Sequence, residues 1–200
     1  SVTWSPDGKR LASLSRNYSV RIWDARTREE LEKPEEDWRE LPNNSIAWSP
    51  DGGRLATGGR DGLIRMWDAR TLKLLEEWQG DGSASLRRLA WSPDGAHIST
   101  TGSSSKDDLQ IWDSQTHKPT TLNGRWTRSC VWSPDSQHVA VCSYRSDIIR
   151  IWTEGATEDA PQATGQLATT LEGHTNAVND VSWNSNDGRI ASASNDGSAK

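Results

Sequence analysis

Five aspartates recur along the chain in one local setting, and paired carboxylates for general acid–base catalysis are the first chemistry they suggest. Each follows a tryptophan by three or four residues within WSPDG or a variant of it; they are Asp7, Asp51, Asp94, Asp135 and Asp187. An acid–base pair must converge on one substrate. Turns of separate repeats would instead spread these carboxylates apart, so the spacing favours a structural role.

No other set of residues has the spacing that catalysis or metal binding requires. His97, His117 and His138 lie near predicted turns or strand starts and are not clustered. The sequence shows no Ser-His-Asp arrangement in a convincing context, no glycine loop for phosphate and no metal-ligand spacing. We therefore predict a protein that is not an enzyme and needs no metal or cofactor.

The two cysteines, Cys130 and Cys142, fall on neighbouring predicted strands. A bridge between them is geometrically possible, but the sequence favours two reduced thiols in the core. Reduced thiols favour a reducing compartment, which predicts a cytoplasmic location.

The elements that position these residues come from an internal repeat of about 43 residues. The WSPDG-type tryptophans are spaced by 44, 43, 41 and 51 residues; they are Trp4, Trp48, Trp91, Trp132 and Trp183. A second element, RIWD or a variant, follows each of the first four by 19 to 21 residues; its tryptophans are Trp23, Trp67, Trp112 and Trp152.

Each repeat is predicted to contain four antiparallel strands. In SIAWSP, Ile46 and Trp48 alternate with Ala47, as in a half-buried strand. Ser-Pro-Asp-Gly is a turn sequence, and GRLATGG, LIRMWD and KLLEEW supply three more strands separated by turns. Twelve tryptophans, no phenylalanine and one methionine fit many short strands better than packed helices.

The repeat resembles the WD40-repeat family, in IRMWDARTL with its Trp-Asp pair and in LEGHTNAVNDVSW with its Gly-His opening. A bacterial propeller family also uses WSPDG, but the Trp-Asp endings and the Gly-His favour WD40. The resemblance implies an all-β fold, a β-propeller of four-stranded antiparallel blades. It predicts a single partial propeller with blades at about 1–33, 45–80, 86–122, 127–171 with an insertion at 155–165, and an incomplete 178–200.

The resemblance also implies a structural tetrad in each blade: a His, a Ser or Thr, an Asp and a Trp joined by hydrogen bonds. No blade matches all four positions. The matching residues are Ser13, Asn17 and Trp23 in the first blade, Thr57, Asp61 and Trp67 in the second, and His174, Ser192 and Asp196 in the fifth. We expect each missing bond to cost on the order of 1 kcal/mol.

Binding is the function class that the resemblance favours. WD40 partners usually dock on the top rim, which carries the first-strand starts and the turns between second and third strands. Arginine and aromatic residues are common interface anchors. The predicted rim residues are Arg16, Arg60, Arg87, Arg88, Arg128, Tyr144, Arg145 and Asn195.

Two of the tryptophans outside the repeated positions, Trp38 and Trp126, allow two interpretations. They fill gaps between blades, or they reach the rim and contact a ligand. In the second case a carbohydrate-binding propeller is an alternative function, because tryptophan faces stack on sugar rings. A ligand-sensing repeat domain within a larger signalling protein is another alternative.

The charge pattern sets the expected partners. The formal net charge of −5 lacks the basic footprint of a nucleic-acid binder, and no apolar run is long enough to span a membrane. A locally basic rim favours an acidic or phosphorylated protein or peptide segment. Because the sequence covers about four and a half blades, we also expect another chain, or further sequence, to supply the remaining blades.

Overall fold

The computed structural model of the chain describes residues 1–15, 20–32, 42–80, 85–102, 109–122, 127–153 and 165–200. Every regular element in these ranges is a β-strand, and neighbouring strands pair antiparallel. The described ranges contain no helical segment with the length and apolarity to cross a bilayer. The all-β prediction is confirmed.

Eighteen strands are described, all of them three to six residues long. They are β1 (Val2–Trp4), β2 (Arg10–Leu14), β3 (Val20–Asp24), β4 (Glu30–Glu32), β5 (Asn43–Trp48), β6 (Arg54–Gly59), β7 (Leu63–Asp68), β8 (Leu74–Gln79), β9 (Leu86–Trp91), β10 (His97–Gly102), β11 (Leu109–Asp113), β12 (Pro119–Leu122), β13 (Thr127–Trp132), β14 (His138–Ser143), β15 (Ile149–Thr153), β16 (Leu167–Leu171), β17 (Val178–Trp183) and β18 (Ile190–Ser194).

The chain divides into two compact units. The first, Ser1–Trp91, contains two four-stranded sheets in the orders β1-β2-β3-β4 and β5-β6-β7-β8, followed by β9. The second, Ser92–Lys200, contains the ladder β10-β11-β12, the four-stranded sheet β13-β14-β15-β16 and the pair β17-β18. Each four-stranded sheet is a meander of the kind that the repeat predicts.

The Ser-Pro-Asp turn between first and second strands forms because its side chains satisfy its own backbone. In the second repeat, Ser49 Oγ donates to Asp51 Oδ1 at 2.5 Å and accepts from the Arg54 backbone N–H at 2.9 Å. Asp51 Oδ1 also accepts from the Gly53 N–H. Gly52 takes a φ of 70°, a conformation that glycine adopts without strain. The same serine–aspartate bond recurs at Ser5, Ser92 and Ser133.

Apolar side chains between adjacent sheets form the cores. In the first unit, Ile22 and its neighbours in the first sheet pack on Ile46, Trp48 and Trp67 of the second. In the second unit, Ile149 and Ile151 pack with Val178 and Val181 of the next repeat. A single sheet cannot bury both faces, so each repeat depends on its neighbour.

Candidate functional site

A β-bulge recurs near the start of the first strand in three repeats. The pairing register shifts between Asn43 and Ser45, between Thr127 and Ser129, and between Val178 and Asp180. The extra residue in each case lies four positions before the strand's tryptophan. The bulge residues are Asn44, Arg128 and Asn179. Bulges commonly redirect a side chain at a sheet edge or next to a functional site.

Each bulge residue meets the residue that directly follows the second strand of its own repeat, sixteen positions later. Arg60 Nε donates to Asn44 Oδ1 at 3.1 Å, and Asn179 Nδ2 donates to Asn195 Oδ1 at 2.6 Å. In the fourth repeat, the Arg128 guanidinium lies over the Tyr144 ring, 4.8 Å from its centroid. We name these three contacts the edge pairs: Asn44–Arg60, Arg128–Tyr144 and Asn179–Asn195.

In the second unit two edge pairs join into one chain of contacts. Arg128 Nη1 donates to Asn179 Oδ1 at 2.6 Å, which links the fourth repeat to the fifth. The backbone supports this link, because the Val178 N–H donates to the Ser146 carbonyl at 3.1 Å. Tyr144 and Arg145 remain exposed beside it. The structure thus brings together four predicted residues of this unit: Arg128, Tyr144, Arg145 and Asn195.

In the first unit the corresponding edge carries Arg60 and two further predicted residues. Asn44 Nδ2 donates to Ser85 Oγ at 2.9 Å and to the Leu86 carbonyl at 3.0 Å, so this edge pair also reaches the next repeat. Arg87 and Arg88 follow on β9 and are exposed. The edge therefore presents three arginines.

Hydrogen bonds between second and third strands join pairs of residues that were assigned to the tetrads. Trp23 Nε1 donates to Ser13 Oγ at 3.0 Å, and Trp67 Nε1 donates to Thr57 Oγ1 at 2.9 Å. The third repeat has the same bond, from Trp112 Nε1 to Thr100 Oγ1. The sequence prediction missed this third case, because the two residues are twelve apart instead of ten.

The fourth repeat lacks this bond. Trp152 pairs with Val139, which places Val141 where the other repeats have a serine or threonine. Trp152 Nε1 is buried and has no hydrogen-bond acceptor within the described residues.

Arg65 occupies the role of the missing histidine in the second repeat. Its side chain is buried, and its terminal nitrogens donate to both carboxylate oxygens of Asp61. Arg65 Nε also donates to Glu77 Oε2 at 3.2 Å. Asp61 therefore has a partner although no histidine precedes the first strand: an arginine on the third strand binds its carboxylate.

The fifth-repeat residues His174, Ser192 and Asp196 lie together as predicted. His174 Nδ1 lies 2.8 Å from Asp196 Oδ2, and Nε2 lies 2.8 Å from Ser192 Oγ. In the neutral imidazole whose Nδ1–H donates to the carboxylate, Nε2 is the acceptor for the serine hydroxyl. Hydrogen bonds from Ser198 Oγ, from the Thr175 N–H and from His174 hold the pKa of Asp196 well below its usual range. Ser192 and His174 are buried, so the bonds tie the turn to the strands.

The five recurring aspartates are each engaged locally. The Ser133 hydroxyl and the Gln137 N–H lower the pKa of Asp135, and Ser49 and Gly53 do the same for Asp51. The fifth copy departs from this pattern, because Arg189 lowers the pKa of Asp187. Nowhere in the described residues do three or more His, Cys, Asp or Glu side chains form a group able to hold a metal.

Both cysteines are free and buried, as the sequence favours. Cys130 pairs with Val141 and Cys142 pairs with Ser129, so the two thiols point to opposite faces of their sheet. Burial raises the pKa of the Cys142 thiol to about 11. Neither thiol is placed for a disulfide with the other.

Four predicted residues lie outside the described ranges: Arg16, Asn17, Trp38 and Trp126. The prediction of sugar contacts depends on two of them. In the other direction, the sequence prediction missed Asn44, Asn179 and Arg65. The first two share a signal, since both stand four residues before a first-strand tryptophan, where Arg128 also stands.

Comparison with known proteins identifies the repeat. The sequence profile described as "WD domain, G-beta repeat" matches residues 1–24, 44–68, 72–113, 117–153 and 165–200, which is most of the chain. No curated protein matches the chain. Domains with this repeat generally act as scaffolds for protein–protein interaction.

Proposed function

The chain belongs to the WD40-repeat family, and from that premise we propose that it binds an acidic or phosphorylated segment of a protein through its edge pairs. The recurrence of the edge pairs carries this proposal. Three repeats use the same bulge, the same following turn and the same sixteen-residue separation, yet each presents different side chains. A constant backbone with variable polar side chains is typical of a recognition surface.

The charge at these edges supports an anionic partner. The chain carries a formal net charge of −5, but the exposed arginines Arg60, Arg87 and Arg88 belong to one edge and Arg145 to the other. Exposed arginines favour contact with carboxylates and phosphates over cationic segments. Arginine also binds such groups through two parallel hydrogen bonds.

An array of short synthetic peptides tests the proposal. Its members carry matched acidic, phosphorylated, neutral and basic segments, and the wild-type chain is expected to retain only acidic or phosphorylated ones. Charge reversal in the double variant Arg60→Glu/Arg145→Glu should abolish this binding. Binding spread equally over basic and acidic members would contradict the proposal.

A matched control uses arginines at the opposite ends of the strands. Arg70 follows β7 in the first unit, and Arg189 precedes β18 in the second; both are exposed. The variant Arg70→Glu/Arg189→Glu makes the same change in net charge as the test variant. It should leave peptide binding intact, and equal loss in both variants would indicate a general charge effect instead of an edge site.

A further inference from the structure

Two contacts restrain the Arg128 side chain. Its guanidinium carbon Cζ lies over the Tyr144 ring, 4.8 Å from the ring centroid, and Nη1 donates to Asn179 Oδ1 at 2.6 Å. Together they limit the orientations that the guanidinium can take. A side chain ordered before binding loses less entropy when a ligand arrives.

The hydrogen bond to Asn179 uses the nitrogen on the Cδ side of the guanidinium. It leaves the opposite edge, formed by Nε–H and Nη2–H, whose two N–H bonds are parallel. Within the part of the chain that the structure describes, neither Nε nor Nη2 of Arg128 donates to an acceptor. Arg128 as a whole is half-exposed. A parallel pair of donors matches the two oxygens of a carboxylate or phosphate.

Three other arginines show the contrasting arrangement. Arg65 donates to Asp61 and Glu77, which neutralise it. Arg10 donates through both terminal nitrogens to the carbonyls of Ala69 and Gly52 and lies over Trp48. Arg60 uses its Nε for Asn44. Each of these arginines uses Nε, Nη2 or both for a contact within the fold.

The contacts of Arg128 also orient two amides. Asn179 must present Oδ1 to the guanidinium, so its Nδ2 faces Asn195. Asn195 accepts that bond with Oδ1, which leaves its own Nδ2 as a donor at an exposed turn position. An outward amide donor suits a main-chain carbonyl of an extended segment.

We infer that Arg128, Tyr144 and Asn195 form an oxyanion reader that selects one acidic side chain in the partner segment. The Nε–Nη2 edge binds the anionic group, Tyr144 supports the guanidinium from below, and Asn195 Nδ2 binds an adjacent main-chain carbonyl. The anionic group is the carboxylate of Asp or Glu or the phosphate of a phosphorylated Ser or Thr. This inference rests on the proposed function and names the residue that reads the charge.

Nuclear magnetic resonance of arginine Nε–Hε groups tests the reader directly. The probes are sodium phosphate, sodium acetate and one neutral peptide scaffold carrying Ser, Glu or phosphoserine at its centre. The Arg128 signal, identified by its loss in Arg128→Lys, should shift saturably with both anions. It should also shift with the Glu or the phosphoserine peptide, and the tighter of these two identifies the source of the oxyanion.

The variants separate recognition from charge. Arg128→Lys keeps the charge but loses the parallel donors, so peptide affinity should fall about tenfold or more. Tyr144→Phe keeps the ring beside the guanidinium and should lose less affinity than Tyr144→Ala, which should bind about threefold more weakly. If Arg128→Lys disturbs folding, the comparison of Tyr144→Phe with Tyr144→Ala still tests whether the ring contributes to peptide binding.

The outcomes distinguish this inference from the proposed function. Peptide binding that is unchanged in Arg128→Lys and in Tyr144→Ala overturns the reader and leaves the proposed function standing. Equal affinity for the Ser peptide also overturns the reader. A saturable Arg128 shift with phosphate or acetate, in a chain that binds no peptide, supports the anion site and contradicts the proposed function.

Discussion

The second and fourth repeats use the same backbone frame with the chemistry of the edge pair reversed. In the second, the bulge carries an amide, Asn44, and the turn carries Arg60. In the fourth, the bulge carries Arg128 and the turn carries an aromatic ring, Tyr144. In the second repeat the arginine donates through Nε to the bulge amide, and in the fourth the arginine lies over the tyrosine ring and donates through Nη1 to the next repeat. Register sets where a side chain stands, and its neighbours decide which of its donors are already used.

The two repeats also differ in how they satisfy their inner polar groups. The second has a buried arginine bound to carboxylates and a tryptophan bound to Thr57. The fourth has Val141 at the position of Thr57, and its Trp152 N–H lacks an acceptor within the described residues. Exchanging single residues between the repeats is therefore a direct test of what each arrangement contributes to stability.

The largest effect should come from Arg65→Met, which keeps the length of the side chain but removes its ion pairs. We expect the free energy of unfolding to fall by about 2 kcal/mol, less than for a fully buried pair because Asp61 and Glu77 regain solvent. Arg150 stands at the same strand position in the fourth repeat and is only half-buried. Urea denaturation should show a loss within about 0.5 kcal/mol for Arg150→Met. Equal losses would mean that the carboxylates do not explain the role of Arg65.

The next largest effect on stability concerns the hydrogen bond from the third-strand tryptophan to the second strand. Removing it from the second repeat and adding it to the fourth should change stability in opposite directions. Thr57→Val preserves shape but leaves the buried Trp67 N–H without its acceptor, which should cost about 1–2 kcal/mol. Val141→Thr supplies an acceptor for Trp152 and should raise the free energy of unfolding by about 0.5–1 kcal/mol. Val139→Thr, buried in the same strand, is the control and should destabilise. Thermal unfolding of the three variants measures these changes. Destabilisation by both Val141→Thr and Val139→Thr would contradict the proposed hydrogen bond from Trp152 to residue 141.

How far the sequence predicts this molecule depends on whether a feature repeats. The strands and the Ser-Pro-Asp turns follow from patterns that recur in register, such as Trp48 three residues before Asp51. Arg128, Tyr144 and Asn195 were also found from the sequence, because each occupies an end of a predicted strand. The structure places them in one unit, and their role in binding stays a prediction.

The sequence analysis did not predict residues that depart from the repeated pattern. Arg65 was missed because the pattern asked for a histidine before the first strand, and nothing in the spacing shows that a third-strand arginine reaches Asp61 instead. Asn44 and Asn179 were missed because a bulge changes which face a residue takes, and an alternating pattern cannot locate a bulge. Thr100 was missed because the second-to-third-strand connection is longer in its repeat.

A smaller effect on stability is expected at Asn43, the first residue of β5, and at the first residue of β13. It is buried, and neither atom of its side-chain amide has a partner within the described residues. The equivalent residue of the fourth repeat is Thr127, since the two pair with Gly59 and Ser143 respectively. Asn43→Thr should raise the free energy of unfolding by about 1 kcal/mol, because fewer buried polar atoms are left unsatisfied. The reverse change, Thr127→Asn, should lower it, and calorimetry of both variants measures the two effects.

The smallest effect is on the pH dependence of stability. It should be the same in the second and fourth repeats, because both contain the Ser-Pro-Asp turn. Hydrogen bonds from Ser49 and Ser133 lower the pKa of Asp51 and of Asp135 below the ordinary value of 3.8. A carboxyl whose pKa is lower in the folded state stabilises the fold above its unfolded pKa, and that contribution is lost as the pH falls. Stability should therefore decline from about pH 5 to pH 2, and Ser49→Ala and Ser133→Ala should each make that decline shallower.

Ser185→Ala is the control, because Asp187 is held by Arg189 instead. Urea midpoints measured across this pH range should show equal flattening in the two test variants. Unequal flattening would mean that the repeats differ at this turn as well as at the edge pair.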